Sequence, residues 1–124
     1  MKKVLVVLFF TIISSVTFAG MNDNDKSKTI ECAGIYYANS MIPQGELELD
    51  KIVHSFAAKK FLNSYLIKEG VKEEKLNEEL LKVVDIRYGK PYEEQTTNEC
   101  DKFIYNLISG SKDEIKKIAE SGIY

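Results

Sequence analysis

Tryptophan is missing from this 124-residue chain, which also has only one histidine, two prolines and two cysteines. With His54 as the sole imidazole, most metal centres and nucleophile–base triads are excluded, because they need several such ligands or a base placed beside a free nucleophile. Cys32 and Cys100 are too far apart for a Cys-x-x-Cys redox pair. Arg87 is the one arginine, and the lysines alternate with glutamates. The basic stripe that neutralises phosphates is therefore lacking, which argues against a nucleic-acid partner and an anionic membrane surface. No serine sits in a nucleophile-elbow setting. Beyond the first twenty residues no apolar run approaches the ~20 residues of a membrane span.

The chain does carry an export signal. Met1-Lys2-Lys3 is followed by an apolar run from Val4 to Val16, interrupted only by Thr11, Ser14 and Ser15, and then by Thr17-Phe18-Ala19. A basic start, about a dozen apolar residues and small residues at −3 and −1 form the pattern of a signal peptide. Cleavage is expected after Ala19, with no cysteine directly following to take a lipid anchor. The expected location is periplasmic or secreted, without stable membrane insertion after cleavage. Removing 19 residues takes Lys2 and Lys3 away, so the mature 105 residues carry 15 basic and 19 acidic side chains, a net −4.

Export decides how the cysteines are read. In an oxidising compartment an even pair defaults to one intramolecular disulfide, here between Cys32 and Cys100. Closing so long a loop stabilises a chain by roughly 4 kcal/mol on the loop-entropy model. That is a large share of the 5–15 kcal/mol, roughly, that holds a domain of this size.

Hydrophobic spacing in the mature chain is helical throughout. Residues 20–28 are polar apart from Met21 and are expected to be a disordered leader. Asn22-Asp23-Asn24-Asp25 copies part of a calcium loop but lacks its glycine and distal glutamate, so no metal is expected. From Thr29 to Met41, Cys32, Ile35 and Tyr36 share one face and Ile30, Ala33 and Tyr37 line the next, which predicts burial on two sides. Gly34 within that helix predicts a close approach by another backbone. A second helix is expected from Glu46 to Glu69 and a third from Lys72 to Tyr88, stopped by Gly89 and Pro91. Thr96-Thr97-Asn98-Glu99 and Ser111-Lys112-Asp113-Glu114 fit capping boxes that open a fourth and a fifth helix. The expected fold is all-α, a compact four- to five-helix bundle stapled by one disulfide. The expected organisation is signal peptide 1–19, leader 20–28 and a single helical domain 29–124.

Chemistry-bearing residues are sparse. His54 follows Asp50 by one helical turn and is expected at a helix interface, bonded to Asp50 or a tyrosine. Adjacent glutamates such as Glu73-Glu74 diverge by about 100° on a helix and do not converge on one atom. All seven tyrosines fall after the signal, and Tyr88 and Tyr92 flank a Gly-Lys-Pro turn followed by Glu93 and Glu94. These four residues are the candidate partner-binding surface, since tyrosine joins apolar area to a polar tip. No catalytic residue and no cofactor is assigned.

The string Glu31-Cys32-Ala33-Gly34-Ile35-Tyr36-Tyr37-Ala38 resembles the opening of a loose class of small exported bacterial helical proteins. In these, Cys-Ala-(Ala or Gly)-x-Tyr begins the first helix and a second cysteine, here Cys100, begins a late one. More distantly, the string is similar to immunity proteins that protect bacteria from type VI secreted effectors. The resemblance spans roughly residues 31–107 and implies export, a helical fold and a disulfide. With it, the expected function is a small noncatalytic module that binds another protein of the cell envelope, as an immunity or inhibitor protein masking an envelope-directed enzyme. The alternatives are a helical carrier of a small apolar ligand, or an enzyme using His54 with carboxylates.

Overall fold

Asn22 sets the start of the fold: its Oδ1 accepts the Asp25 amide across 2.8 Å, and Asp23 and Asp25 place negative charge at the positive end of the helix that follows. The computed structural model describes residues 21–122, which form five α-helices. They are α1 Asp23–Ser40, α2 Leu49–Lys68, α3 Glu73–Arg87, α4 Glu94–Leu107 and α5 Ser111–Ser121, with no β-strand among the described residues. The expected signal peptide and cleavage bond lie outside them. The segment 20–28, expected as a disordered leader, is helical from Asp23 onward. Capping, a Met21 side chain half-buried against the core and a hydrogen bond from the Met21 amide to Glu69 supply the order that polar composition alone does not suggest.

α1 packs most extensively on α2 and α3 and meets α4 along a shorter seam, while α5 lies against α2 and touches α4. Five consecutive residues of α1, Cys32 to Tyr36, are buried, which is the two-sided burial its apolar pattern predicts. At Gly34 the close neighbour is a side chain rather than a backbone: a Cβ there would lie 2.5 Å from Val83 Cβ. Val83 Cβ is fixed to its own backbone, so no side-chain rotation removes it. The core is completed by Leu62 and Leu66 of α2, Leu76 and Leu80 of α3, Ile104 of α4 and Ile115 of α5. Cys32 and Cys100 form the disulfide, with Cα atoms 5.5 Å apart, and join α1 to α4.

Three local expectations change. α2 begins at Leu49 rather than Glu46, because Glu46 and Leu47 belong to a turn closed by the Glu46 amide on Pro43 O (3.1 Å) and a bridge between Gln44 and Leu47. α4 begins at Glu94, so Thr96, which opens the expected capping box with Glu99, sits inside the helix and caps nothing, and its neighbour Thr97 is buried. The Thr97 hydroxyl bonds Glu93 O (3.1 Å) and accepts from Asn39 Nδ2 (3.0 Å). Ser111 likewise turns its hydroxyl to Ile104 O (3.2 Å) and ties α5 to the end of α4. Among the described residues, no helix is long and apolar enough to cross a membrane.

Candidate functional site

The seam between α1 and α4 carries three links. Cys32 and Cys100 form the covalent one, and Asn39 Nδ2 donates to Thr97 Oγ1 at 3.0 Å. Tyr36 stands one helical turn after Cys32 and Asp101 directly follows Cys100, so the disulfide brings these two side chains together. Tyr36 donates its hydroxyl to Asp101 Oδ1 at 2.5 Å. His54 of α2 reaches the same oxygen through Nε2 at 2.9 Å, with its ring edge-on to Tyr36 at 5.8 Å between centroids. One carboxylate therefore fastens three helices.

Burial and the nearby carboxylate favour the protonated form of two tyrosines. Burial, reinforced by the Asp101 carboxylate, drives the Tyr36 hydroxyl far above the ordinary tyrosine range and keeps it a donor. The Tyr105 hydroxyl is pushed up to about 12 by burial and then by Asp101. His54 bonds Asp101 rather than the expected Asp50 or a tyrosine; Asp50 is exposed, and Tyr36 meets the imidazole only edge-on. Among the described residues no cysteine is free, the Ser55 hydroxyl is sealed in the core, and no group of three His, Cys, Asp or Glu residues could hold a metal ion. The junction thus offers hydrogen-bonding and charge, with its tyrosine shut away from solvent.

Beside this junction the α1–α2 and α3–α4 loops enclose a cleft of about 650 Å³. Met41, Ile42 and Pro43 line one wall and Tyr88, Pro91 and Tyr92 the other, with Glu46, Arg87 and Lys90 among them. Gly89, at φ +81°, provides the left-handed turn that brings the chain round after α3. Tyr88 is 75% exposed, whereas Tyr92 is half-buried with Lys51 Nζ 5.4 Å from its ring centre. Tyr88 and Tyr92 both line the cleft. Glu93 and Glu94 are tied up beside it: Glu93 pairs with Arg87 at 2.7 Å and Glu94 with Lys51 at 3.2 Å.

Sequence reasoning missed Asp101 and the Met41–Pro43 wall. Asp101 had a signal, because pairing Cys32 with Cys100 puts the residue after one cysteine beside the residue a turn after the other. The wall had none, since it depends on how two loops distant in sequence face each other.

No family model, curated protein or solved structure matches the chain. Its functional reading rests on the site itself.

Proposed function

We propose that this chain is a small exported, noncatalytic protein-binding module, an immunity or inhibitor protein that masks an envelope-directed enzyme. The observation that carries this reading is Tyr88, 75% exposed on a Gly-Pro turn at the edge of the cleft. An aromatic side chain held out on a stiff turn is the kind of anchor that dominates protein interfaces. Met41, 43% exposed on the facing wall, extends the apolar surface. The net negative charge of the mature chain favours encounter with a basic enzyme cleft. The Asp101 junction supports the site by fixing α4 and, with it, the turn that carries Tyr92.

The test is site-specific photocrosslinking in an envelope extract with the disulfide intact. A photoreactive residue at position 88 is expected to capture one protein in stoichiometric yield, and the same probe at the exposed Glu78 is expected to capture none. Equal, diffuse labelling at both positions would defeat the proposal.

A second reading has its own support: about 650 Å³ falls within the range of small-molecule sites. Under that reading the cleft carries an apolar ligand, and native mass spectrometry of the protein as isolated finds a bound lipid or aromatic metabolite.

A further inference from the structure

Asn39, in the last turn of α1, lies at the base of the cleft. It is 5% exposed, and its Nδ2 donates to Thr97 Oγ1 at 3.0 Å. The orientation of this amide is forced. A threonine hydroxyl has one hydrogen, and Thr97 gives it to Glu93 O at 3.1 Å, so toward Asn39 its oxygen can only accept. Asn39 Oδ1 therefore turns away from Thr97. It takes no hydrogen bond from the described residues. Ser55 Oγ and Asn63 Oδ1 are the side-chain atoms among those residues that are both unmatched and sealed from solvent. Asn39 Oδ1 is unmatched but not sealed, and the surface that Asn39 lines is the cleft. The setting adds to its pull on a donor. α1 ends here with no basic residue in its last turn, so the partial negative charge of its terminal carbonyls is uncompensated.

We propose that Asn39 Oδ1 is the acceptor for a main-chain N–H of an extended segment that the partner inserts between the two walls of the cleft. The inference rests on the reading of the cleft as a protein-binding site and names what enters it. A lipid chain has no donor to give this oxygen. A helix spends its amide hydrogens internally beyond its first turn. In an extended segment successive side chains point to opposite sides, and the amides lie across that direction. Such a segment, laid along the cleft, sends one side chain to Met41 and Pro43 and the next to Tyr88 and Pro91, and turns an N–H to Asn39. Apolar walls with one fixed polar group between them set orientation as well as affinity, and main-chain hydrogen bonds with alternating side-chain contacts are how extended peptides are recognised. Thr97 is the positioning residue, because it holds the Asn39 amide with its oxygen outward.

The test uses the disulfide-bonded protein and a phage-displayed library of random linear peptides. Peptides whose binding is lost in Tyr88→Ala are synthesised, and each amide is replaced in turn by an ester, which removes the N–H without adding bulk. One replacement is expected to weaken binding by about tenfold or more, the cost of leaving a buried acceptor unmatched. In Asn39→Leu, which keeps the branching of the side chain, the parent peptide is expected to lose the same factor and that ester to lose nothing further. Thr97→Val frees the amide to turn over while leaving Oδ1 in place, and its loss is expected to be smaller. In the wild type, the Asn39 side-chain amide signals in nuclear magnetic resonance spectra are expected to shift with the parent peptide and not with that ester, which tests the contact without any variant. Tyr88-dependent peptides whose ester scans show no link to Asn39 overturn the acceptor role and leave the protein-binding reading standing. A selection that yields no Tyr88-dependent peptide overturns the extended occupant, and the protein-binding reading is then decided by crosslinking from position 88.

Discussion

Tyr36 donates a hydrogen bond to Asp101 across 2.5 Å while remaining wholly out of contact with solvent. The phenol belongs to the most enclosed stretch of α1, and the carboxylate belongs to α4 beside the disulfide. Burying a hydroxyl is costly without a partner, and a charged acceptor makes a stronger bond than a neutral one. The pair therefore converts a polar group inside the core into a fixed register between two helices.

Removing the acceptor should cost more than removing the donor. Asp101→Ala leaves the Tyr36 hydroxyl buried and unmatched and is expected to lower stability by about 1–3 kcal/mol, whereas Tyr36→Phe, with Asp101 still held by His54, is expected to cost about 1 kcal/mol. In the Tyr36→Phe background, Asp101→Ala should cost less than it does alone. Urea unfolding of the double-mutant cycle measures this, and purely additive losses would contradict the role given to the pair.

Alkaline stability follows from the same burial. In the unfolded chain Tyr36 and Tyr105 release their protons near pH 10, but in the folded chain Tyr105 holds its proton up to about 12 and Tyr36 beyond it. Both folded values are raised, so their contribution is fully present below pH 10 and is lost as pH rises past that point. Stability is expected to decline from pH 10 upward, less steeply in Tyr36→Phe. Phenolate absorbance recorded with circular dichroism should show Tyr36 ionising only as the fold is lost.

At the crossing of α1 and α3 there is no room for a methyl group. Gly34→Ala would place a Cβ 2.5 Å from Val83 Cβ and 2.8 and 2.9 Å from its two methyl carbons. Overpacking of this kind costs about 1–3 kcal/mol. Adding Val83→Ala removes the two methyls but not the Cβ, so rescue is expected to be partial. Thermal melts of the three variants decide it, and full rescue would mean the helices simply move apart.

Replacing both cysteines by alanine is expected to lower stability by about 2–5 kcal/mol. Alanine is chosen because serine would add an unmatched hydroxyl to sites that are 0% and 5% exposed. Non-reducing peptide mapping of the wild type should recover the Cys32 and Cys100 peptides joined.

At the proposed interface, Tyr88→Ala should weaken partner association by about 1–3 kcal/mol with little loss of stability. Tyr92→Ala is expected to lower both, because its ring is half-buried and meets Lys51. Glu78→Ala serves as the exposed control. Calorimetric binding and thermal unfolding on the same preparations separate these effects, and a Tyr88 variant that binds like the wild type would remove the turn from the site.

Helical content was legible because apolar residues recur at turn spacing in every segment, and the helix ends at Gly70, Gly89 and Gly110 announce themselves. The double stripe around Cys32–Tyr36 correctly implied a helix enclosed on two sides. Caps were less legible. Thr96 and Ser111 each headed a local capping pattern, yet the fourth helix starts earlier, at Glu94, and the Ser111 hydroxyl goes to the preceding helix end. The start of α1 was missed for a related reason: composition says that Met21 to Lys28 have little to bury, and the anchor at Glu69 is 48 residues away. The cleft was half legible. Tyr88 and Tyr92 lie on one short segment, but Met41, Ile42 and Pro43 join them only through tertiary packing.

A chain is made from its N-terminus, so the helix with the most enclosed centre is the first to exist. Until α2 and α3 have been synthesised, the middle of α1 has nothing to shelter it, and the Cys32 thiol waits for a partner 68 residues downstream. Between the completion of α1 and that of α3 this protein is therefore at its most adhesive in the very stretch that ends up least visible. The covalent seam between α1 and α4 can close only after Cys100 has been made.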